Sequence, residues 1–421
     1  MGTQAHVDGT TSVAWFNPGD PATVQNPFPV MERLRESGPI VLWQPGLWVT
    51  TDYDVQRSIL RGKAFVQGDL AASLKHFYGP HFDAMEHPSY RWLSGAFVMQ
   101  DPPDHTRIRS LVTDALTVRR VMALEPSIRA IADRLVDEVF DAGRMELLGS
   151  FAYRVPSLVM AQLLGIGEDE CDAQKMAAIN DAVSKVFVVF EPRILTTTEL
   201  ELADRNIEYL YDFVGELFER RRKHPREDML TVLVNKPPSD GGLTADELDS
   251  IVVSFFGAGF ETTAHLIGNG VFILDRHPEQ RALLSAHPEL AAGAVEEVLR
   301  HSSSLNAIYR VASEDVEIEG QRIRKGDRIL LLLSAANRDP SHFPEPTRFD
   351  IEREGNKLLS FGYGIHRCVG AELAQLEARI AFQTLYSRLP ALRVDQPDAK
   401  WRNSFFFRGL ERLEVAWDKN P

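Results

Sequence analysis

Apolar residues recur every three or four positions over much of this chain, which is the spacing of amphipathic helices. This periodicity predicts helices over 29–37, 54–61, 104–116, 119–140, 156–164, 170–187, 198–224, 280–285, 289–300 and 371–389. A further helix begins at the capping box Thr244-Ala245-Asp246-Glu247, whose threonine and glutamate side chains satisfy free N–H groups of the first turn. Because its apolar run continues to about Asp275, a long apolar helix is expected there.

Shorter patterns predict a minor β component. Strands are expected over 41–50 (a pair), 316–318, 321–323, 328–333 and 413–417. Residues 1–26 are interpreted as an extended arm, and 65–100 as a long irregular segment interrupted by glycine and proline. Such a segment in a compact protein is usually functional or disordered. The chain is therefore predicted to form one mainly α domain with a smaller β region over 27–421.

Composition narrows the class of protein. The 421 residues are 44% hydrophobic and 25% charged, as in an ordinary globular protein with a large core. The net charge of −14 argues against a nucleic acid or an anionic membrane as partner. Cys171 and Cys368 cannot form a disulfide framework, no signal peptide is evident, and no run reaches the roughly 18–20 apolar residues of a membrane span. A cytoplasmic monomer is expected.

Cys368 carries the most specific chemistry. It lies in Phe361-Gly362-Tyr363-Gly364-Ile365-His366-Arg367-Cys368-Val369-Gly370, a glycine-rich loop before a predicted helix. Gly364 permits a turn and Gly370 permits close backbone approach, while N–H groups at the helix start favour a thiolate. A thiolate held in this way can be the axial ligand of a haem iron. A buried structural cysteine is the alternative, and zinc is disfavoured because His366 and Cys368 alone cannot supply four ligands.

This loop resembles the haem-binding signature of the cytochrome P450 family, Phe-x-x-Gly-x-x-x-Cys-x-Gly, at every fixed position. The resemblance implies the cytochrome P450 fold, with haem b lying between a long distal helix and the helix that follows the cysteine loop. It also implies that Phe361 packs on the sulfur side of the macrocycle and that His366 reaches a propionate.

Other segments match the same family. His105 and Arg109 stand one helical turn apart and resemble its His-x-x-x-Arg pair, and Arg310 matches an arginine that binds the other propionate. Glu297 and Arg300 resemble the Glu-x-x-Arg pair, which is locked to an arginine before the cysteine loop; here Arg348 or Arg353 is that partner. Taken singly, these are also ordinary surface charges or i, i+3 pairs.

The predicted long helix contains Gly257-Ala258-Gly259-Phe260-Glu261-Thr262-Thr263. Two interior glycines cost roughly 1 kcal/mol each relative to alanine, so another interaction should compensate. The usual reason is close helix packing. In the resembled family, Ala258 and Gly259 leave room at the distal haem face, and Glu261 and Thr262 are the acid–alcohol pair that delivers protons for oxygen activation.

Aromatic and small residues are the candidate substrate contacts, and they imply an apolar or aromatic substrate. They are Phe77, Tyr78, Phe82, Phe97, Val98, Phe256, Ala258, Leu305, Asn306, Ala307, Phe405 and Phe406. Asn306 is the candidate polar anchor, and many of the phenylalanines are equally expected in the core. The sequence does not specify the substrate itself or whether it undergoes hydroxylation, epoxidation or demethylation.

The resemblance implies a monooxygenase that takes electrons from separate proteins, since the chain has no flavin or iron–sulfur signature. A ferredoxin and its reductase, ultimately using NAD(P)H, are the expected donors. A basic docking patch is expected from Arg107, Arg119, Arg120, Lys357 and Arg367. A peroxygenase of the same fold and a non-catalytic haem sensor or carrier are the alternatives; the Glu261-Thr262 pair argues against both.

Overall fold

The computed structural model describes residues 5–7, 10–237 and 241–419. The chain divides into two compact units. Unit 1 comprises Met1–Gly68, Gly268–Cys368 and Val394–Leu413. Unit 2 comprises Asp69–Ile267, Val369–Arg393 and Glu414–Pro421.

Helices dominate the described residues. The α-helices are α1 Pro21–Gln25, α2 Phe28–Ser37, α3 Tyr53–Arg61, α4 Leu70–Tyr78, α5 Pro88–Gly95, α6 Asp104–Ala115, α7 Val118–Ala123, α8 Glu125–Asp137, α9 Arg154–Leu164, α10 Ala173–Val186, α11 Thr197–Lys223, α12 Met229–Asn235, α13 Ala245–Phe256, α14 Thr262–Asp275, α15 Pro278–Ala286, α16 Ala291–His301, α17 Leu333–Ala336 and α18 Ala371–Arg388. The strands are β1 Ala5–Val7, β2 Thr10–Ser12, β3 Ile40–Gln44, β4 Leu47–Thr50, β5 Phe65–Val66, β6 Arg144–Glu146, β7 Ile308–Ala312, β8 Val316–Ile318, β9 Gln321–Ile323, β10 Arg328–Leu331, β11 Arg393–Val394 and β12 Glu414–Ala416.

Unit 1 is built on a sheet with the strand order β1-β2-β3-β4-β10-β7-β5. Strands β4 and β10 pair in parallel, with Trp48 opposite Ile329, and every residue of both is buried. Full burial explains why these strands are nearly continuous apolar runs rather than alternating ones. Their side chains join Ile59 and Leu60 of α3 in one hydrophobic core.

Unit 2 is mainly helical. Its longest helix, α11, begins at a capping box formed by Thr196 and Glu199 and buries one apolar face that includes Leu210, Val214 and Leu217. The spacing of these buried residues is that of an amphipathic helix packed on a core. Strands β6 and β12 pair antiparallel, with Met145 opposite Val415.

The structure corrects three predicted segments. The segment 1–26, expected to be an extended arm, contains the paired strands β1 and β2 and the helix α1. The helix expected over 119–140 is two helices, α7 and α8, with Pro126 in the first turn of α8. Proline is tolerated in the first turn because the N–H groups there have no acceptor within the helix. In a helix interior the missing N–H would break a hydrogen bond, so Pro126 begins a helix instead of continuing one. The segment 65–100, expected to be irregular, contains β5, α4 and α5.

Helix α16 contains the most fully buried ion pair of unit 1. Glu297 and Arg300 are both 0% exposed and form two hydrogen bonds of 2.7 and 2.8 Å. Of the two possible arginine partners, Arg353 contacts the glutamate, with its Nε 3.3 Å from Oε2. Arg348 instead pairs with Glu345 and Asp350 on the surface.

One helix among the described residues, Ala245–Asp275, is long and apolar enough to cross a membrane by length and composition. However, 78% of its apolar window is buried inside the protein. Burial of this kind is what a core helix of a large α-helical protein requires.

The buried pair predicts a large loss of stability on substitution. Glu297→Ala leaves the Arg300 guanidinium buried without a carboxylate, which should lower the free energy of unfolding by about 3–5 kcal/mol. Glu345→Ala is the control, because it breaks an exposed pair of Arg348 and should cost no more than about 1 kcal/mol. Denaturant unfolding measures both. A Glu297→Ala variant as stable as the control would show that the pair is not needed for stability.

Candidate active site

The cysteine turn of unit 1 depends on glycine conformation. Gly362 and Gly364 have φ of 66° and 73°, in the left-handed region that favours glycine. A Cβ on Gly364 would lie 2.2 Å from the carbonyl oxygen of Leu60, so the turn approaches α3 too closely for any side chain. The Cys368 N–H donates to the Phe361 carbonyl oxygen at 2.8 Å and closes the turn.

The two cysteines lie in opposite environments. Cys368 is exposed, and a Cβ built on Gly370, two residues further on, would meet no atom within 4 Å. Cys171 is buried, and burial raises the pKa of its thiol to about 11. Cys171 is therefore an inert core thiol, whereas the Cys368 thiol is exposed and could act as a metal ligand.

The chain leading to this turn is attached to α16. Ser360 donates to the carbonyl oxygen of Leu299 at 2.8 Å and accepts a bond from the Asn337 side chain at 2.7 Å. The Leu359 N–H donates to Asn337 Oδ1 at 2.8 Å. The Asn337 side chain therefore acts structurally, by fixing the approach to Cys368.

In unit 2, two glycines allow close packing where α13 passes into α14. Residues Gly257–Glu261 form a π-helical turn. A Cβ on Gly257 would lie 2.4 Å from the Phe187 ring, and one on Gly259 would lie 2.7 Å from Met160 Sδ. The compensation expected for the two glycines is therefore, at least in part, close packing against Phe187 and Met160.

The same turn opens one face of an otherwise buried helix. Ala258 is exposed, and Gly259 and Thr262 are half-buried, whereas the residues around them on α13 and α14 are buried. Thr262 Oγ1 donates to the Ala258 carbonyl oxygen at 2.8 Å. Small residues and one hydroxyl therefore line the accessible stretch.

Glu261 points into unit 2 and is 2% exposed. Ser184 of α10 donates to its Oε2 at 2.7 Å, and Nε2 of His265 lies 3.4 Å from its Oε1. Tyr153 Oη lies 3.3 Å from the same His265 nitrogen. The sequence alone does not predict the contacts of these three residues, Ser184, His265 and Tyr153. Only the i, i+4 spacing of Glu261 and His265 was visible in the sequence, because Ser184 and Tyr153 come from distant segments.

The other predicted cofactor contacts divide between the units. His105 of α6 is 1% exposed, faces the Phe97 ring, and shares its helix with half-buried Arg109 in unit 2. Arg310 of β7 is 6% exposed in unit 1. Half-buried Phe361 and His366 also lie in unit 1, on the cysteine turn.

Several predicted substrate contacts turn out to be core residues. Phe256, Ala307, Phe405 and Phe406 are buried. Asn306 donates to the Phe405 carbonyl oxygen and accepts from Ser334, which argues against its expected role as a polar substrate anchor. Among the other predicted substrate contacts, Val98 is exposed. The half-buried ones are Phe77, Tyr78, Phe82, Phe97 and Leu305.

Tyr78 and Phe82 stack with ring centroids 4.1 Å apart. Tyr78 Oη also bonds Tyr90 Oη at 2.9 Å and accepts the Leu195 N–H at 2.8 Å. These contacts form an ordered aromatic cluster in unit 2, in the segment expected to be irregular.

Comparison with known proteins identifies the class. The cytochrome P450 family model matches residues 25–401, so the chain belongs to the cytochrome P450 family, whose members are haem-iron oxidoreductases. It is 36% identical over 401 residues to 6-deoxyerythronolide B hydroxylase of Saccharopolyspora erythraea, covering 92% of this chain and 95% of that protein. It is likewise 36% identical to vitamin D(3) 25-hydroxylase of Pseudonocardia autotrophica, covering 93% of this chain and 94% of that protein.

Solved structures confirm the predicted fold. P450BioI, in a complex with acyl carrier protein ligated to hexadec-9Z-enoic acid, has a TM-score of 0.85 at 32% identity, covering 94% of this chain and all of that one. CalO2 has a TM-score of 0.86 at 29% identity, covering 96% of this chain and 99% of that one. The mainly α fold with a small β region is that of a cytochrome P450.

The residues present fit the haem-thiolate group that this family implies. Unit 1 offers an exposed thiol at Cys368, which follows a turn that Gly364 brings close to α3. Unit 2 offers the accessible stretch of Ala258, Gly259 and Thr262. Among the described residues no cluster of histidine, cysteine, aspartate or glutamate could hold a metal ion by itself.

Proposed function

We propose that this chain is a cytoplasmic monooxygenase that inserts one oxygen atom of O2 into an apolar or aromatic small molecule. The balanced reaction is RH + O2 + 2 electrons + 2 protons → ROH + H2O. Bound haem b supplies oxygen activation, and an axial thiolate increases electron donation to its iron. The observation that carries the proposal is the exposed Cys368 thiol at the end of a turn that only glycine permits.

We assign the haem contacts as follows. Cys368 would supply the thiolate ligand, and Phe361, Gly364 and Gly370 would shape the turn that presents it. Arg310 and His366, within unit 1, would be donors to haem propionates. His105 and Arg109, within unit 2, would have the same role. Arginine and histidine suit this role because charge-assisted hydrogen bonds to carboxylates are the strong ones.

The proposed iron ligand is tested by replacing each of the two cysteines by serine in turn. Cys368→Ser should lose the red-shifted Soret band that the reduced, carbon monoxide-bound protein owes to thiolate ligation. Cys171→Ser is the matched control and should keep the band, because that thiol is buried and inert. The absorption spectrum of each reduced, carbon monoxide-bound variant shows whether the band is kept. Retention of the band in Cys368→Ser would overturn the assignment and the proposed function with it.

We further propose that Thr262 and Glu261 deliver protons during oxygen activation. Thr262 presents its hydroxyl on the accessible stretch of the helix, and Glu261, the preceding residue, is a buried carboxyl with hydrogen-bonding partners. A hydroxyl can orient the dioxygen substrate, and a carboxyl can exchange the proton that the hydroxyl passes on. The pair also favours the use of O2 over the peroxygenase alternative, since a peroxide reaction needs no such relay.

Removal of the Thr262 hydroxyl should uncouple electron use from product formation. With an apolar substrate found by screening for a haem spin-state change, Thr262→Ala should keep that spectral change and still consume NAD(P)H. Its yield of product per NAD(P)H should fall about tenfold or more, the scale of a lost acid–base group. Thr262→Ser retains a hydroxyl and should recover most of the yield. Equal yields from Thr262→Ala and the parent would exclude the hydroxyl from the relay.

We propose that an acidic electron-transfer protein such as a ferredoxin docks on the cations beside the cysteine turn. Arg61 of α3 and Arg367 of the turn are exposed, and Ile365 of the same turn is 56% exposed. Exposed cations around an apolar residue suit a transient complex with an acidic protein. Arg107, expected in this patch, is instead engaged by Asp104 and Glu247 within unit 2.

Charge reversal tests this docking surface. Arg61→Glu combined with Arg367→Glu should slow the first electron transfer from reduced ferredoxin on the order of tenfold at low ionic strength, because electrostatic steering is lost. The defect should shrink as salt screens the charges. Arg61→Lys combined with Arg367→Lys keeps both charges and serves as the control. Stopped-flow reduction rates that are equal in all three proteins would place the docking surface elsewhere.

A further inference from the structure

A chain of polar side-chain contacts extends from buried Glu261 into unit 2. It runs from Glu261 Oε1 to His265 Nε2 over 3.4 Å, and from that nitrogen to Tyr153 Oη over 3.3 Å. Glu261 is 2% exposed and His265 is 1% exposed, whereas Tyr153 is only half-buried. The chain therefore connects a buried acid with a residue that solvent can reach.

The contacts of the imidazole with Glu261 and with Tyr153 use the same nitrogen, Nε2. When Nε2 carries a proton, it donates toward Glu261; when it does not, it can accept from the Tyr153 hydroxyl or from a protonated Glu261 carboxyl. One proton can therefore lie on either the carboxyl or the imidazole. The second carboxylate oxygen, Oε2, accepts from Ser184 and stays anchored to α10 in either state.

The burial of the pair makes this shared proton important. Burying an ionised carboxylate away from water costs free energy unless a basic group or a hydrogen-bond donor lies close to it. His265 is such a basic group, one helical turn from Glu261 on α14. The neighbouring groups from other elements are the Ser184 hydroxyl of α10 and the Tyr153 hydroxyl before α9.

We propose that His265 is a positioning residue that stores a proton for Glu261 and is recharged through Tyr153; this inference rests on the proposed function of Glu261. In the resting pair the Glu261 carboxyl is ionised and His265 Nε2 carries the proton. When oxygen activation draws a proton, Nε2 passes its proton to the carboxylate, the carboxyl passes it on, and His265 is left as a neutral imidazole. Solvent then supplies a proton through the Tyr153 hydroxyl and restores the imidazolium. Each cycle moves one proton inward, and the two protons of the balanced reaction are supplied by two cycles.

Two substitutions of His265 separate proton storage from positioning. His265→Gln keeps a side-chain N–H that can hold Glu261 but cannot store a proton, and His265→Leu removes both capacities. In the haem-loaded protein both should keep the substrate-induced spectral change and lose about tenfold or more in product per NAD(P)H. The solvent hydrogen isotope effect on oxygen activation should rise in both, and Tyr153→Phe should raise it as well. If His265→Gln equals the parent in yield and isotope effect, proton storage is overturned.

An infrared measurement provides a readout that does not depend on turnover. The resting parent should lack the C=O stretch of a protonated Glu261 at neutral pH, and the band expected in His265→Leu is assigned by its loss in the double variant that also carries Glu261→Gln. His265→Leu should show the band, because a buried carboxyl without a basic neighbour takes up a proton. Its absence in a folded His265→Leu protein would refute the pairing of Glu261 with His265.

The two levels of proposal can fail separately. If Cys368→Ser and Thr262→Ala behave as expected while the His265 and Tyr153 variants match the parent, the proton store is wrong and the monooxygenase proposal stands. If Cys368→Ser retains thiolate ligation, the proposed function fails whatever His265 does, although the infrared result on the pair still stands.

Discussion

The requirement that a buried charge be fully paired organises the part of unit 1 that carries Cys368. Arg300 has five N–H donors, and it bonds both Glu297 oxygens and the carbonyl oxygens of Pro346 and Arg348. Glu297 in turn accepts the Asp350 N–H at 2.9 Å. Because no water is available to replace these bonds, the segment 346–350 has little freedom to move. It precedes the cysteine turn, so the ion pair of one helix fixes the approach to the metal ligand.

A different constraint shapes the accessible stretch of unit 2. Glycine destabilises a helix interior, yet α13 and α14 meet at two glycines. The distances of 2.4 Å and 2.7 Å from their hypothetical Cβ atoms show that Phe187 and Met160 occupy that space. Close packing on one side and an opening at Ala258 and Thr262 on the other are thus consequences of the same small residues. The packing alternative and the functional interpretation do not exclude each other.

The sequence predicted what depends on local pattern and failed where distant segments decide. Helical periodicity located α11 and α16 to within two residues, and the cysteine motif identified the family. Neither pattern could choose between Arg348 and Arg353 as the partner of Glu297, because both lie in one polar segment and the choice depends on how it folds back. The bonds that occupy Asn306 come from Phe405 and Ser334, which are remote in sequence. The Glu261 network was missed for the same reason.

The residues proposed for metal ligation and those proposed for proton delivery are anchored independently. Cys368 and the docking cations belong to unit 1 and depend on α3 and α16. Glu261, Thr262 and His265 belong to unit 2 and are held by α10 and by Tyr153. Each set of residues can therefore be tested by substitutions that leave the named contacts of the other set in place.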